Sequence, residues 1–478
     1  MKKNNILDLT KLFSDASYGL QMGYAETISA KSLVISPKTV EECQEILKYC
    51  NLENIKICCR GGGYSYGDMI LNSEQVILDT CSMNEILDWN SETGLITVQP
   101  GVSFASIFKI SLLHNWTLHS CPGGMDVTIG GAISNNVHGK DAWKSGNFGC
   151  QICSFKLLLA SGETIIVDEA KESLFKAVIG GMGLIGIIIQ ATIQLKKIPS
   201  PFVTTRTDLA QNIEESIALL ERRKKDSDFA VAWVDAFAKG SAIGRGYVSS
   251  ASWVKDDLVT TPSDLNKSLT KPSLIFGFLP AKPFWFVGRR FFKPFVLNIL
   301  NKIHYLVAKM KFSNKKKSSD PILFTDYNFM HNKIPDIREV YRPHGFFEFE
   351  PLLPKKNGAK IIRDLLILCQ KFKSESLLCG LKSHKGDDFL VSFAGDGYSI
   401  GIDIQVAGRA TKEIENFANA IIDFTNKYEG KIYLAKDEKL DKHSFQKMYP
   451  NYKTFLDLKS NFDPENRFSS DMFQRLME

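Results

Sequence analysis

The chain has 478 residues, 44% hydrophobic and 23% charged, ordinary globular proportions that exclude a disordered or fibrous protein. That length suggests two to four domain-sized units, or two large ones, with chain enough for a sizeable core. No apolar run of about 18 residues is free of charge, so no spanning helix is expected.

The opening MKKNNILDLTKLF has a basic start but no apolar h-region, so no signal peptide is read. Ten scattered cysteines without disulfide-framework spacing fit reduced thiols and a cytoplasmic location. Charge is unevenly placed. Net charge is +6, yet residues 265–319 hold twelve Lys or Arg and no acid, leaving 47 basic against 53 acidic residues elsewhere. The same segment has ten aromatics, among them Phe284, Trp285, Phe286, Phe291, Phe292 and Phe295, together with Arg289, Arg290, Lys315, Lys316 and Lys317. Such a mixture suits an anionic membrane surface or a lipid phosphate. It equally suits a solvated basic helix with its aromatics on the core. No nucleic-acid fold motif accompanies it, so nucleic acid is not expected.

In chain order, residues 32–36 read as a strand. Thr39 and Glu42 have capping-box spacing, and Val40, Cys43, Ile46 and Leu47 mark one face of a short helix. Residues 55–59 form the next strand and deliver the chain into CCRGGGYSYGD, residues 58–68. Three consecutive glycines bare the backbone and permit positive φ, so something must approach the main chain closely there. Strands at 76–79 and 94–101 and a helix near 103–115 follow. In residues 121–149, eight of 29 positions are Gly or Pro, too many for regular structure, so this stretch must wrap something or turn repeatedly. A strand pair joined at Ser161-Gly162 comes next.

Gly181, Gly183 and Gly186 fit GxGxxG, but a strand pattern, Ile187-Ile188-Ile189, follows where a dinucleotide fingerprint needs a helix, so a Rossmann site is rejected. Cys150 and Cys153 form a CxxC with no second ligand pair and read as packing; the eight histidines show no i, i+4 pairing, so no metal is expected. In residues 431–436, read as a strand, Ile432, Leu434 and Lys436 share a face by alternation. Lys436 is then either a snorkelling strand end or a buried cation with a task.

RGGGYSYGD, then PGGMDVTIGGAISNNVHGKD, SGNFG and FKAVIGGMGLIGIIIQATI, in this order across residues 30–197, resemble the FAD-binding domain of the vanillyl-alcohol-oxidase family. KIYLAKD and FQKMYPNYKTFLDLKSNFDPENRFSSDM resemble its decaprenylphosphoryl-ribose 2′-oxidase branch, which oxidises the 2′-hydroxyl of a ribose on a polyprenyl phosphate; residues 200–430 match only in fragments. The resemblance implies an α+β, two-domain flavoenzyme. Its FAD-binding domain, two α/β subdomains, takes residues 1–200; an antiparallel-sheet substrate domain takes 201–430; residues 431–478 return to the FAD domain.

By the same resemblance Arg60, Gly61, Gly62, Gly63, Tyr64, Ser65 and Tyr66 cradle the FAD pyrophosphate and approach the flavin, although Arg60 has a structural ion pair as its alternative and Tyr66 a merely space-filling one. The second glycine region adds Gly123, Thr128, Gly130, Gly131, Asn135, His138, Gly139, Gly146, Phe148 and Gly149; Gly183, Ile185, Gly186 and Tyr433 complete the cofactor set. Tyr64 stands where tethering relatives have histidine, and Cys121 is not spaced like the second tethering cysteine, so non-covalent FAD is implied. Lys436, His138 and Tyr66 become catalytic candidates, with Lys436 as charge stabiliser or as a base. Lys140, Glu348, Glu350 and Lys382 become substrate candidates, Lys140 toward a phosphate. The branch has amides where this chain has the two glutamates, and a cysteine where it has Gly401; carboxylates repel phosphate but accept sugar hydroxyls.

The expected reaction is oxidation of a secondary alcohol, on a free or lipid-linked sugar, with a short-chain reductase as the partner the branch implies. Alternatives are a soluble oxidase of free sugars, alditols or hydroxy acids, and a non-catalytic basic protein that binds lipid or nucleic acid. The expected location is cytoplasmic, with peripheral contact at the inner membrane face.

Overall fold

The computed structural model describes residues 2–256, 258–275, 277–312 and 319–478; Lys315, Lys316 and Lys317 lie outside the described residues. The first unit is a four-stranded sheet in the spatial order Ser17–Met22, Ser29–Ile35, Val76–Asp79, Ile57–Arg60. Its last three strands are parallel, which requires a crossover, and the helix Val40–Leu52 supplies it. The Thr39 side chain accepts from the Glu42 N–H at the helix start, and Cys43, Ile46, Leu47 and Cys50 are buried against the sheet.

The second unit is a five-stranded antiparallel sheet: Ile86–Asn90, Leu95–Val98, Ile187–Gln194, Ile152–Leu158, Thr164–Asp168. The glycine-rich stretch at 180–186 runs into the strand Ile187–Gln194, as its sequence pattern predicts. The stretch at 121–149 contradicts one expectation. It contains the helix Ile129–Ser134 and the single turn Ala142–Ser145, because Gly130 lies where a Cβ would stand 2.9 Å from Pro100 Cβ. The glycines there permit close helix packing and do not only break structure.

Residues 202–432 form an eight-stranded antiparallel sheet, ordered Ile322–Leu323, Phe202–Ala210, Gly246–Trp253, Phe229–Val234, Cys379–Ser383, Gly397–Ile400, Pro351–Pro354, Lys431–Ile432. The helices Ile213–Arg223, Gly358–Lys371 and Thr411–Lys427 each bury one apolar stripe against it. The architecture is α+β, and the core is continuous from the second sheet into the third. The C-terminal helices then return to the first sheet, where the Ile57 N–H donates to Arg467 O and the Ser469 N–H to Ile57 O. Lys459 anchors this return. Its buried ammonium donates to Leu184 O, Phe468 O and the Asp463 carboxylate, tying the C-terminal segment to the loop before Ile187.

One local expectation is corrected. Only Lys431–Ile432 is strand, and Leu434–Lys436 is a 3₁₀ turn. The partner strand Pro351–Pro354 pairs Pro351 with Ile432 and Leu352 with Lys431; the Tyr433 N–H still donates to Glu350 O, and the chain then turns at Leu434. Lys436 is therefore aimed by a turn, not by strand alternation. No helix among the described residues is long and apolar enough to cross a membrane.

Candidate active site

The strand Ile57–Arg60 ends at the glycine loop, which lies against the second glycine region. A Cβ on Gly61 would stand 2.2 Å from Thr128 Oγ1, and one on Gly62 2.9 Å from Asp126 O. Gly63 has φ of +72°, open to glycine without strain. The two loops enclose a cleft of about 540 Å³, lined by Gly62, Tyr64, Gly101, Ser103, Asp126 and Thr128 among others. Its walls are backbone and small hydroxyls, a donor-rich surface suited to a dinucleotide's phosphates and ribose. The Tyr64 hydroxyl donates to Asp126 at 3.0 Å. Arg60 is engaged away from the cleft, with Asp79 Oδ2 at 2.9 Å and Gln21, which is the structural alternative weighed from sequence.

The remaining cofactor candidates divide. Gly131 lies beside Thr128, and Asn135 keeps a buried Oδ1 with no protein partner while its amide donates to Gly131 O. Tyr433 reaches Asn135 O and rests against the His138 ring. Gly139 and Gly149 are packed against protein: a Cβ would come 2.6 Å from Cys121 O and 2.4 Å from Ile179 Cγ2. Phe148 and Ile185 are core residues, and Gly186 abuts Leu157. Gly183 lies beside Cys59 with φ of +72°, Gly146 beside Cys150, and Ser65 is buried against Met69. Gly123 sits in the turn before Asp126.

Beyond the glycine loop lies a buried ionic cluster. Lys436 Nζ is 2.5 Å from Glu348 Oε1 and 2.7 Å from Glu350 Oε2. Lys382 Nζ and His138 Nε2 stand 3.6 and 3.5 Å from Glu350 Oε1, which also accepts from Ser399 Oγ at 2.8 Å. Ser399 in turn meets His384 Nε2 at 2.8 Å. Lys436 also lies 5.5 Å from the centre of the Tyr66 ring. Two carboxylates and two ammonium groups balance.

The electrostatics sort the roles. Burial disfavours the Lys436 ammonium, but Glu348 and Glu350 outweigh it and hold its pKa well above the usual lysine range. Lys436 is thus a permanent cation, and of its two expected roles the geometry supports charge stabilisation. Burial depresses His138 well below the ordinary imidazole value despite Glu350, and depresses His384 to about 3, so both rings are neutral. Burial and Glu348 raise the Tyr66 phenol, which keeps its proton. Glu350, despite its own burial, is held ionised by Lys382 and Lys436.

Lys140 is not in this cluster. Its Nζ donates to Tyr327 O at 3.1 Å and Asn328 O at 2.7 Å, and burial lowers its pKa to about 7. The expected phosphate contact is replaced by a bond that ties the second glycine region to the helix Phe324–Asn328.

Sequence reasoning missed His384 and Ser399. The signal was present: His384 lies two residues after Lys382, on the same side of an extended segment. His138, Glu350 and His384 offer ligand atoms within 4.8 Å of one another. Two ammonium groups already face that carboxylate, and they oppose a metal cation more than they invite one.

The glycine loop thus borders a donor-rich cleft at Gly62 and Tyr64 and the buried, charge-balanced cluster at Tyr66, an arrangement that suits an oxidoreductase with a dinucleotide cofactor. Residues 31–168 match a family described as FAD binding domain, and residues 296–476 one described as D-arabinono-1,4-lactone oxidase. The chain is 26% identical to the decaprenylphosphoryl-beta-D-ribose oxidase of Mycolicibacterium smegmatis over 476 residues, 95% of this chain and 96% of that one. It is 22% identical to the L-gulono-1,4-lactone dehydrogenase of Mycobacterium tuberculosis, covering 95% and 97%, and 21% identical to the L-gulonolactone oxidase of Mus musculus, covering 92% and 94%. The chain is an FAD-binding oxidoreductase, and the relatives it resembles are oxidases and dehydrogenases acting on CH–OH groups.

Proposed function

We propose that the chain oxidises a secondary alcohol on a neutral, polyhydroxylic sugar presented on a polyprenyl phosphate. The observation that carries the hydroxyl preference is the pairing of both lysines: Lys436 with Glu348 and Glu350, and Lys382 with Glu350. A 2-hydroxy acid needs a cation for its carboxylate, and both cations in the cluster already have partners. Carboxylates accept sugar hydroxyls instead. The lipid-linked form is supported by the likeness to the mycobacterial ribose oxidase along nearly the whole chain. The relatives named for L-gulonolactone favour a free sugar as the second reading.

FAD held against the glycine loop and Thr128 would supply the hydride acceptor for the carbinol carbon. Lys436 Nζ stabilises the alkoxide that develops as the hydroxyl proton departs. Glu348, the more open of the two carboxylates (side chain 14% exposed against 1% for Glu350), takes that proton. Neutral His138 and Tyr433 wall the site and exclude water. The ketone formed is a substrate for a short-chain reductase partner.

The test mixes anaerobic holoenzyme with a farnesylphosphoryl pentoside, free pentoses, alditols and 2-hydroxy acids. The pentoside should bleach the flavin fastest and the hydroxy acids should not bleach it. Bleaching by hydroxy acids alone overturns the substrate class, and no bleaching by any of them favours a binding protein that has lost chemistry.

FAD is held here without a covalent bond, because Tyr64 offers a phenol already donated to Asp126 and no imidazole nitrogen. Acid precipitation should leave the yellow colour in the supernatant. Flavin fluorescence on the denatured chain in a gel contradicts this.

A further inference from the structure

The acid-free segment folds into two helices, Ala281–Gly288 and Pro294–Phe312, whose outward faces are unusual. The second helix buries Leu297, Asn301 and Ala308 toward the protein. The opposite face would ordinarily be polar. Here it exposes Phe295, Ile299, Ile303, Leu306 and Met310, spaced four, four, three and four residues apart so that they form one apolar stripe. Phe295 and Met310 are each 76% exposed. Lys302 and Lys309 flank one edge of the stripe by the helical repeat, and Lys293 stands immediately before the helix. The first helix and its exit add exposed Phe286, Val287 and Phe291, with the Arg289 guanidinium 4.1 Å from the centre of the Phe286 ring.

We propose that these two helices lie on an anionic lipid bilayer, with the stripe in the headgroup–acyl boundary and the basic side chains on lipid phosphates. Charge complementarity selects this occupant. Lysines bordering an apolar stripe extend their heads to lipid phosphates while their stems stay with the apolar face. The segment has no acidic residue to oppose this, although the rest of the chain is net acidic. A second copy of the chain would bring the same lysines against themselves.

The face is also joined to the catalytic cluster. Phe292 meets Tyr341 edge-on at 5.3 Å, Tyr341 stacks on Phe346 at 4.5 Å, and Phe346 meets Tyr66 at 5.5 Å. Trp285 packs in the same cluster and donates its N–H to Pro335 O. Docking therefore connects the bilayer to the active site through three successive aromatic side chains, Phe292, Tyr341 and Phe346. The inference adds the surface at which a lipid-linked substrate would be met, and it stands whether or not the substrate reading does.

The test uses flavin-loaded full-length protein and vesicles of phosphatidylcholine with or without phosphatidylglycerol. Wild type should sediment with the anionic vesicles, and binding should fall steeply as salt rises. The triple variant Arg289→Gln, Arg290→Gln, Lys293→Gln should bind on the order of a hundredfold more weakly, at about 1 kcal/mol for each basic residue. The variant Phe295→Ser, Met310→Ser keeps every charge and should also lose binding. Both should keep their flavin and its reduction by a soluble sugar substrate, a readout independent of docking. Failure of wild type to bind anionic vesicles at low salt overturns the proposal. So does equal binding by the charge variant, or concentration-dependent dimerisation through this face without vesicle binding.

Discussion

Lys436→Met should keep its full flavin content and reduce that flavin with substrate on the order of a hundredfold or more slowly than wild type. The argument is local. The methionine keeps the aliphatic stem, and with it the packing over Tyr66, but removes the one ammonium in contact with both glutamates. An alkoxide forming beside Glu348 and Glu350 would then face two carboxylates with only Lys382, 3.6 Å from Glu350, to offset them. Because the cluster is charge-balanced, the single variant also strains the fold by leaving a buried carboxylate underpaired. The double variant Lys436→Met, Glu348→Gln restores the balance and separates the two effects. It should regain stability without regaining flavin reduction. Single-turnover reduction measured anaerobically decides the matter: a wild-type rate in the Met variant makes the lysine structural. His138→Ala is then the next variant, since His138 is a neutral imidazole beside Glu350.

Lys459→Met should destabilise the protein by about 3–5 kcal/mol, the typical cost of removing one partner of a buried ion pair. Lys459 and Asp463 are almost wholly buried, and the lysine also donates to the carbonyls of Leu184 and Phe468. Its loss leaves those carbonyls unpaired and detaches the C-terminal return from the 180–186 loop. The measurement is denaturant unfolding of the holoenzyme together with free flavin released into solution. Lys459→Arg, which keeps the charge, should lie between the two. An unchanged unfolding midpoint in the Met variant would show that the return is held by its apolar contacts alone. Cofactor retention is the property this change should weaken and Lys436→Met should spare, so the two variants distinguish a lysine that builds the domain from one that works in it.

Much of the first unit was legible because its signals are local. Thr39 three residues before Glu42, the apolar face from Cys43 to Leu47, and the three glycines after Arg60 each act within one turn or one strand. The rejection of a Rossmann site at Gly181–Gly186 rested on the strand that follows, which the structure contains. Residues 431–436 misled because alternation over six residues cannot register that pairing with the strand Pro351–Pro354 stops after Tyr433 and the chain turns at Leu434. Lys140 misled for a related reason: a lysine between glycines looks free until the carbonyls of Tyr327 and Asn328, almost two hundred residues later, come to meet it.

What the sequence by itself determined was that two glycine loops must admit something close to the main chain, a need that is conformational and intrinsic to the residue; the resemblance of its ordered motifs to a known family then supplied the class, an FAD-binding α+β oxidoreductase. It also determined that one segment is basic, aromatic and free of acid, since composition needs no fold. Only the tertiary structure decided which charges meet. Glu348, Glu350, Lys382, Lys436, His138 and His384 come from separate parts of the chain, and their protonation states follow from mutual distances and burial that no local pattern encodes. The same holds for the apolar stripe from Phe295 to Met310: periodicity places those residues on one side of a helix, but only packing of Leu297, Asn301 and Ala308 decides that this side faces outward.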